Sequence, residues 1–226
     1  MWTKTGLKER KMGIEVEAKA ERKPSPFYGP AKRLFDLAVA LVLLAVTSPI
    51  FGLVAFFIKR EDGGPILYGG SRIGKDGRPF KILKFRTMIL NADKLGPAIT
   101  TGDDRRITRV GRVLRASKLD ELPQLVNVLK GEMSLVGPRP EAPVYVALYT
   151  PEQRRVLSVP PGITGLAAIE YRHEVRLLHE STLADVYERE IMPAKLNLDL
   201  AYIRRRSFLY DLELLARTAL ALFSRD

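Results

Sequence analysis

The sequence predicts a helix-rich α+β fold of a monotopic membrane protein, with an N-terminal re-entrant membrane helix, a short β-hairpin and interfacial amphipathic helices. Three observations predict it. The run LAVALVLLAVTSPIFGLVAFFI, from Leu37 to Ile58, carries no charge. Two short apolar stretches flank a glycine-rich turn near Asp76-Gly77, and apolar residues recur at helical spacing over much of the remaining chain.

Taken in order, residues 1–29 are polar and mixed in charge, and KPSPFYGP interrupts any long helix, so they read as a mobile tail. Residues 30–60 hold the membrane segment, whose uncharged run reaches the ~20 positions a helix needs to cross a bilayer core. A secretory signal would lie nearer the N-terminus and end in a small-residue cleavage pattern, whereas this run ends in FFIKR. Lys32-Arg33 before the run and Lys59-Arg60 after it both mark a cytoplasmic flank. Midway, Pro49 lacks an N–H and clashes with the preceding turn, while Thr47 and Ser48 supply hydroxyls for freed carbonyls. The pattern predicts a helix that enters the membrane, breaks at Ser48-Pro49 and leaves by the same face; a kinked single-pass anchor is the alternative.

Residues 61–226 then form the body. The strands around ILY and FKILKF enclose GGSRIGKDGRP, a hairpin signal. Gly69, Gly74 and Lys75 have the spacing of a phosphate-binding P-loop, but Asp76 stands where a hydroxyl is required, and Gly77 and Pro79 oppose the helix that should come next. The stretch from Arg105 to Met133 reads as largely helical, with Ser117 as a cap and Leu122, Leu125, Val126 and Leu129 as a buried or membrane-facing stripe. SLVGPRPE and SVPPGITG read as loops, and Leu177 to Phe223 as helix broken near Met192-Pro193.

The 226 residues carry 37 Lys and Arg against 26 Asp and Glu, a net charge of +11 that favours polyanions: nucleic acid, anionic lipid or phosphate-rich ligands. With no Cys, thiolate metal sites, disulfides and cysteine nucleophiles are excluded. His173 and His179 are the only histidines and form no zinc motif.

In this basic chain, RASKLDELPQL places Asp120 beside Glu121. Ser117 three residues earlier resembles a capping box, with acids in a first helical turn. The chemical reading is different. Arg112, Arg115 and Lys118 surround the pair in sequence, and Arg139 sits between two prolines that limit the entropy lost in fixing it. Arginine forks suit phosphate, and Mg2+ commonly bridges one or two carboxylates to a diphosphate. The combination points to phosphoryl transfer.

The succession KRLFDLAVALVLLAVTSP, KILKFRTM, SKLDELPQLVNVLKGEMSLVGPRPE and PPGITG also resembles the bacterial sugar transferases, the monotopic phosphoglycosyl transferases, over about residues 30–224. The resemblance implies transfer of a sugar phosphate from a UDP-sugar to polyprenyl phosphate, undecaprenyl phosphate by family expectation, on the cytoplasmic face of a bacterial inner membrane. UMP is released, and surface glycan synthesis begins. It further implies that Asp120 attacks the donor's β-phosphorus and forms an aspartyl phosphosugar, that Glu121 helps hold Mg2+, and that Arg115 and Arg139 lie near the phosphates. Lys84, Arg86 and Arg172 match further cationic positions, and Ser48-Pro49 matches the dip of the helix into one leaflet. Membrane lipids, but no nucleic acid, are then the expected further partners. Many relatives carry Trp-Ala-Gln after Gly-Ile-Thr-Gly, whereas this chain reads GLAAIEYR from Gly165 to Arg172, so the sugar is left open. A membrane-anchored basic module that binds nucleic acid or an acidic partner is the alternative from another class.

Overall fold

The computed structural model describes residues 25–92, 95–96, 104–172 and 183–223. Most of the expected tail and both histidines lie outside them.

Helix α1 spans Tyr28–Asp62, 35 residues, or roughly 52 Å if straight. Only Asp36, Ala40, Val54 and Ile58 of this helix are buried. Leu41, Val42, Val46, Leu53, Phe56 and Phe57 are exposed, so its middle offers a long apolar face that the body does not cover. Helical structure continues through the expected break at Ser48-Pro49, where a proline bends a helix without ending it. Ser48 explains why. Its Oγ donates to the Ala45 carbonyl at 2.8 Å, the acceptor four residues before Pro49 that the missing N–H would have served, and Thr47 Oγ1 donates to Leu43 O at 2.6 Å.

Both ends of α1 are fastened to the body. At the first, Arg33 donates to the Val128 and Leu129 carbonyls at 2.6 and 3.0 Å, and Lys32 pairs with Asp211 at 2.9 Å. Asp36 accepts from Ser134 Oγ at 2.7 Å and from Leu135 N at 3.3 Å. At the far end, Glu61 accepts from the backbone N–H groups of Arg109 and Val110 at 2.7 and 3.2 Å, and Asp62 pairs with Arg86.

Strands β1 (Leu67–Ile73) and β2 (Pro79–Phe85) form the antiparallel hairpin, with Tyr68 opposite Lys84. Asp76 at φ 56° and Gly77 at φ 76° make the tight turn, so the near P-loop is a hairpin. Helix α2 (Arg109–Ser117) is capped by Thr108, whose side chain accepts from Gly111 N. Ser117 is therefore not an N-cap. It closes the helix, donating to Val113 and Leu114 carbonyls, and Lys118 comes next in the left-handed region at φ 58°. A 3-10 turn, Leu119–Glu121, carries the two acids into α3 (Gln124–Lys130). Leu125 and Val128 are buried and Leu122 and Leu129 pack beside them, so that stripe belongs to the core except for Val126, which is half-buried and outside the cluster.

The next segments differ from expectation. Ser134–Val136 (β3) pairs in parallel with Gly162–Thr164 (β4), Ser134 opposite Gly162 and Val136 opposite Thr164. Strands of three residues carry too little pattern to be read locally; their partner lies far along the chain. Between them lie α4 (Pro143–Val146) and a 3-10 stretch, Gln153–Ser158. After β4 come α5 (Leu166–Glu170), α6 (Leu183–Val186), a π-helical turn (Tyr187–Ile191), α7 (Met192–Arg205) and α8 (Phe208–Phe223). The π-helical turn ends at Ile191, beside the break expected near Met192-Pro193, Pro193 lies in the first turn of α7, and the chain turns again at Arg206-Ser207. On α8, Leu214 is buried while Leu209 and Leu220 are largely exposed, an amphipathic arrangement.

Candidate active site

The 3-10 turn, β2 and the Arg139 loop meet around Glu121. Its Oε1 accepts from Lys84 Nζ at 2.7 Å and from Arg139 Nη2 at 3.0 Å. Burial alone would raise this carboxyl, but Arg139 and Lys84 outweigh it and hold Glu121 well below the usual carboxylate range. Burial lowers the Lys84 ammonium, while Glu121 pulls it back up. Neither of the described contacts uses Oε2.

Asp120, one residue earlier, has a different setting. It is 6% exposed, and among the described residues no hydrogen bond engages its carboxylate. Burial raises its pKa; Lys84, Arg115 and Lys118 counter that effect and Glu121 adds to it. A buried, unengaged carboxylate facing cations is a competent nucleophile toward an electrophile whose negative oxygens those cations neutralise. Arg115 reaches this side from the last turn of α2, its Nε donating to Thr87 Oγ1 at 2.9 Å.

Two local devices set the geometry. Asn127, completely buried on α3, accepts from Leu83 N at 2.9 Å and donates to Lys81 O at 2.8 Å and Glu132 Oε2 at 2.6 Å. The side chain acts as a surrogate strand, fixing β2, and with it Lys84, against the helix that comes after Glu121. The Arg139 loop is fixed through glycines. Gly137 N donates to Thr164 O at 2.9 Å and Gly162 N to Pro138 O at 2.8 Å. A Cβ on Gly162 would stand 2.1 Å from Gly137 N, and one on Gly165 2.2 Å from Gly137 O, so side chains there would force the two segments apart. Behind Arg139 lies Asp199 on α7, a buried carboxylate raised to about 8 by burial, against the pull of Lys195 and of the Arg139 backbone N–H and guanidinium.

Of the expected site residues, Asp120, Glu121, Lys84, Arg115 and Arg139 are brought together. Arg86 is drawn elsewhere. Its guanidinium binds both oxygens of Asp62, the Pro65 carbonyl at 2.6 Å and the Met88 carbonyl at 3.2 Å, which fastens the end of α1. Its described acceptors are thus those at the end of α1 and in the adjoining backbone. Arg172 stands half-buried directly after α5, at the border of the described residues. Ser48 and Pro49 lie in the exposed middle of α1, where Ser48 mends the helix.

Sequence reasoning missed Thr87, Asn127, Asp199 and the glycine contacts. A polar Asn amid the apolar spacing of LPQLVNVL was the one local signal available.

Among the described residues no group of three or more acidic or histidine side chains gathers as a metal cage. The acids fit Mg2+ in another way, with the uncommitted Glu121 Oε2 as a hard oxygen donor and a ligand's phosphates completing the shell.

Comparison with known proteins shows the family. Residues 27–225 match the family described as bacterial sugar transferase. The chain belongs to that family and is a transferase. It is 41% identical over 198 residues to the UDP-glucose:undecaprenyl-phosphate glucose-1-phosphate transferase of Caulobacter vibrioides, covering 86% of this chain and 70% of that one. It is 46% identical to the exopolysaccharide production protein ExoY of Sinorhizobium fredii, over 66% of this chain and 73% of that one. The UDP-N-acetylgalactosamine-undecaprenyl-phosphate N-acetylgalactosaminephosphotransferase of Aeromonas hydrophila is 36% identical over 86% of this chain but only 44% of its own length.

Proposed function

We propose that this transferase moves a sugar 1-phosphate from a UDP-sugar to undecaprenyl phosphate, releasing UMP and starting a surface glycan. The observation that carries the reading is the division of labour between Asp120, buried and unengaged, and Glu121, clamped by Lys84 and Arg139. The names of the relatives support the donor and acceptor classes.

In the first step an Asp120 carboxylate oxygen attacks the β-phosphorus. The bond from that phosphorus to the bridging oxygen breaks, and UMP leaves with the electron pair. In the second, an oxygen of the lipid phosphate attacks the same phosphorus, and Asp120 departs as carboxylate. Arg115 and Arg139 hold phosphate oxygens and offset their charge. Mg2+, held by Glu121 and the donor, would supply further charge neutralisation.

The two fastened ends of α1 support a membrane placement. A spanning helix would separate them by ~30 Å of hydrocarbon, yet Lys32-Arg33 and Glu61-Asp62 dock on one body. The reading is a helix that dips into the cytoplasmic leaflet of the inner membrane, with the exposed leucines of α8 at the same interface.

Purified protein, given undecaprenyl phosphate and Mg2+, is expected to release UMP from one member of a UDP-sugar panel. Donor alone should leave a sugar-phosphate adduct on the intact chain by mass spectrometry, lost in Asp120→Asn. Turnover by Asp120→Asn at the parent rate would reject the covalent route. Because the chain has no Cys, single cysteines at Phe27 and Arg60 can report topology in sealed vesicles. Labelling of the two from opposite sides rules out the re-entrant placement.

A further inference from the structure

We infer that Thr87 is a positioning residue: its hydroxyl aims the Arg115 guanidinium at the donor phosphates. This rests on the phosphate role given to Arg115 above and goes beyond it.

Thr87 lies just beyond β2 and is 7% exposed. Three contacts immobilise its backbone. Its carbonyl accepts from Thr108 N, the N-cap of α2, at 3.0 Å. Met88 pairs with Ile107 on one side, and on the other Arg86 is fastened to Asp62 at the end of α1. The first turn of α2 lies directly upon it, since a Cβ on Gly111 would stand 2.1 Å from Thr87 O. Only a glycine permits that approach. Arg115 lies four residues beyond Gly111, one helical turn on, and so on the same face of the helix. Its Nε–H therefore meets the Thr87 hydroxyl, at 2.9 Å.

An arginine has five N–H donors in a rigid fork. Once Nε is anchored, the plane of the fork is set, while the two terminal nitrogens stay available. Among the described residues no hydrogen bond engages them. Asp120 and, less strongly, Asp104 are the attractive charges that the guanidinium senses. Without the anchor, the same charge would sample several rotamers, and donor binding would bear the entropic cost of selecting one. Thr87 is thus fixed by the elements that also hold α1, and passes that order to a group beside the reacting carboxylate.

The test compares Thr87→Val, which keeps shape and loses the hydroxyl, with Thr87→Ser, which keeps the hydroxyl. UMP release is measured across donor concentrations with the full chain in lipid discs. Thr87→Val is expected to lose roughly tenfold or more in kcat/KM, with KM for the donor carrying part of the loss, and Thr87→Ser to stay within about threefold. On an Arg115→Lys background, Thr87→Val should add less than about twofold, because Lys has no Nε–H to anchor. Equal losses in Val and Ser, an unchanged Val variant, or a full Val loss on the Lys background each overturn the proposal. Should Thr87→Val not fold, Thr87→Ala removes the same hydroxyl and is read the same way. If Arg115→Ala itself turns over at the parent rate, the phosphate role of Arg115 fails instead, which separates the two outcomes.

Discussion

The two sides of the Asp120-Glu121 pair are built on opposite plans. Around Glu121, β2 and the Arg139 loop supply two direct cation contacts, and the carboxyl is driven toward its ionised form. Around Asp120, cations act without a described hydrogen bond, and burial makes the charged form costly. Adjacent residues of one 3-10 turn thus receive opposite shifts, so sequence proximity says little about electrostatic role. A side clamped by cations is suited to holding, and an unengaged side to reacting.

That contrast makes opposite predictions for stability. Asp120→Asn should cut UMP release by about a thousandfold or more, yet leave the melting temperature unchanged or higher, because it removes a carboxylate whose burial the nearby cations only partly offset. Glu121→Gln should lower turnover by about a hundredfold and lower the melting temperature too, since Lys84 and Arg139 lose their counter-charge. Thermal unfolding and turnover of the two variants, measured together, would break the comparison if both melted alike. Gly165→Ala comes next in size. The chain must separate at Gly137, which displaces Arg139 from Glu121, and turnover should fall about tenfold with a lower melting temperature.

A subtler effect concerns Asp199, behind the Arg139 loop. Its folded pKa of about 8 lies above the ordinary 3.8, so between those values the folded chain retains a proton that the unfolded chain has released. Stability from this group is therefore fullest below the ordinary value and declines as pH rises toward 8. Asp199→Asn should flatten that decline. Melting temperatures of parent and variant from pH 5 to 8 should converge at the acid end and diverge at the alkaline end, with the variant higher.

The membrane run, the hairpin and the principal site residues were legible because each is a local pattern: an uncharged run, Asp-Gly between apolar stretches, adjacent acids among cations. The parallel pair Ser134–Val136 with Gly162–Thr164 was not, since its pairing joins segments far apart in sequence. Nor were Asn127 and Thr87. Both bond to β2 or a helix by tertiary contact, and a lone Asn or Thr carries no local mark of such a partner. Arg86 shows the converse: its place in a cationic motif points toward a ligand, and the motif gives no sign of the pairing with Asp62, a carboxylate 24 positions earlier.

The smallest effect tests the repair at Pro49, where the bare half of α1 meets the same accounting as the site. Ser48 Oγ replaces the N–H that Pro49 withdraws from the Ala45 carbonyl. If so, Ser48→Ala leaves that carbonyl unpaired in an apolar surrounding and costs about 0.5–1.5 kcal/mol, a melting shift of roughly 1–5 °C for a chain of this size. On a Pro49→Ala background the backbone N–H returns, and removing Ser48 should then cost almost nothing. The difference between the two backgrounds isolates the hydroxyl's contribution from the side chain's packing. Equal costs in both would show that Ser48 serves something other than the carbonyl beneath it.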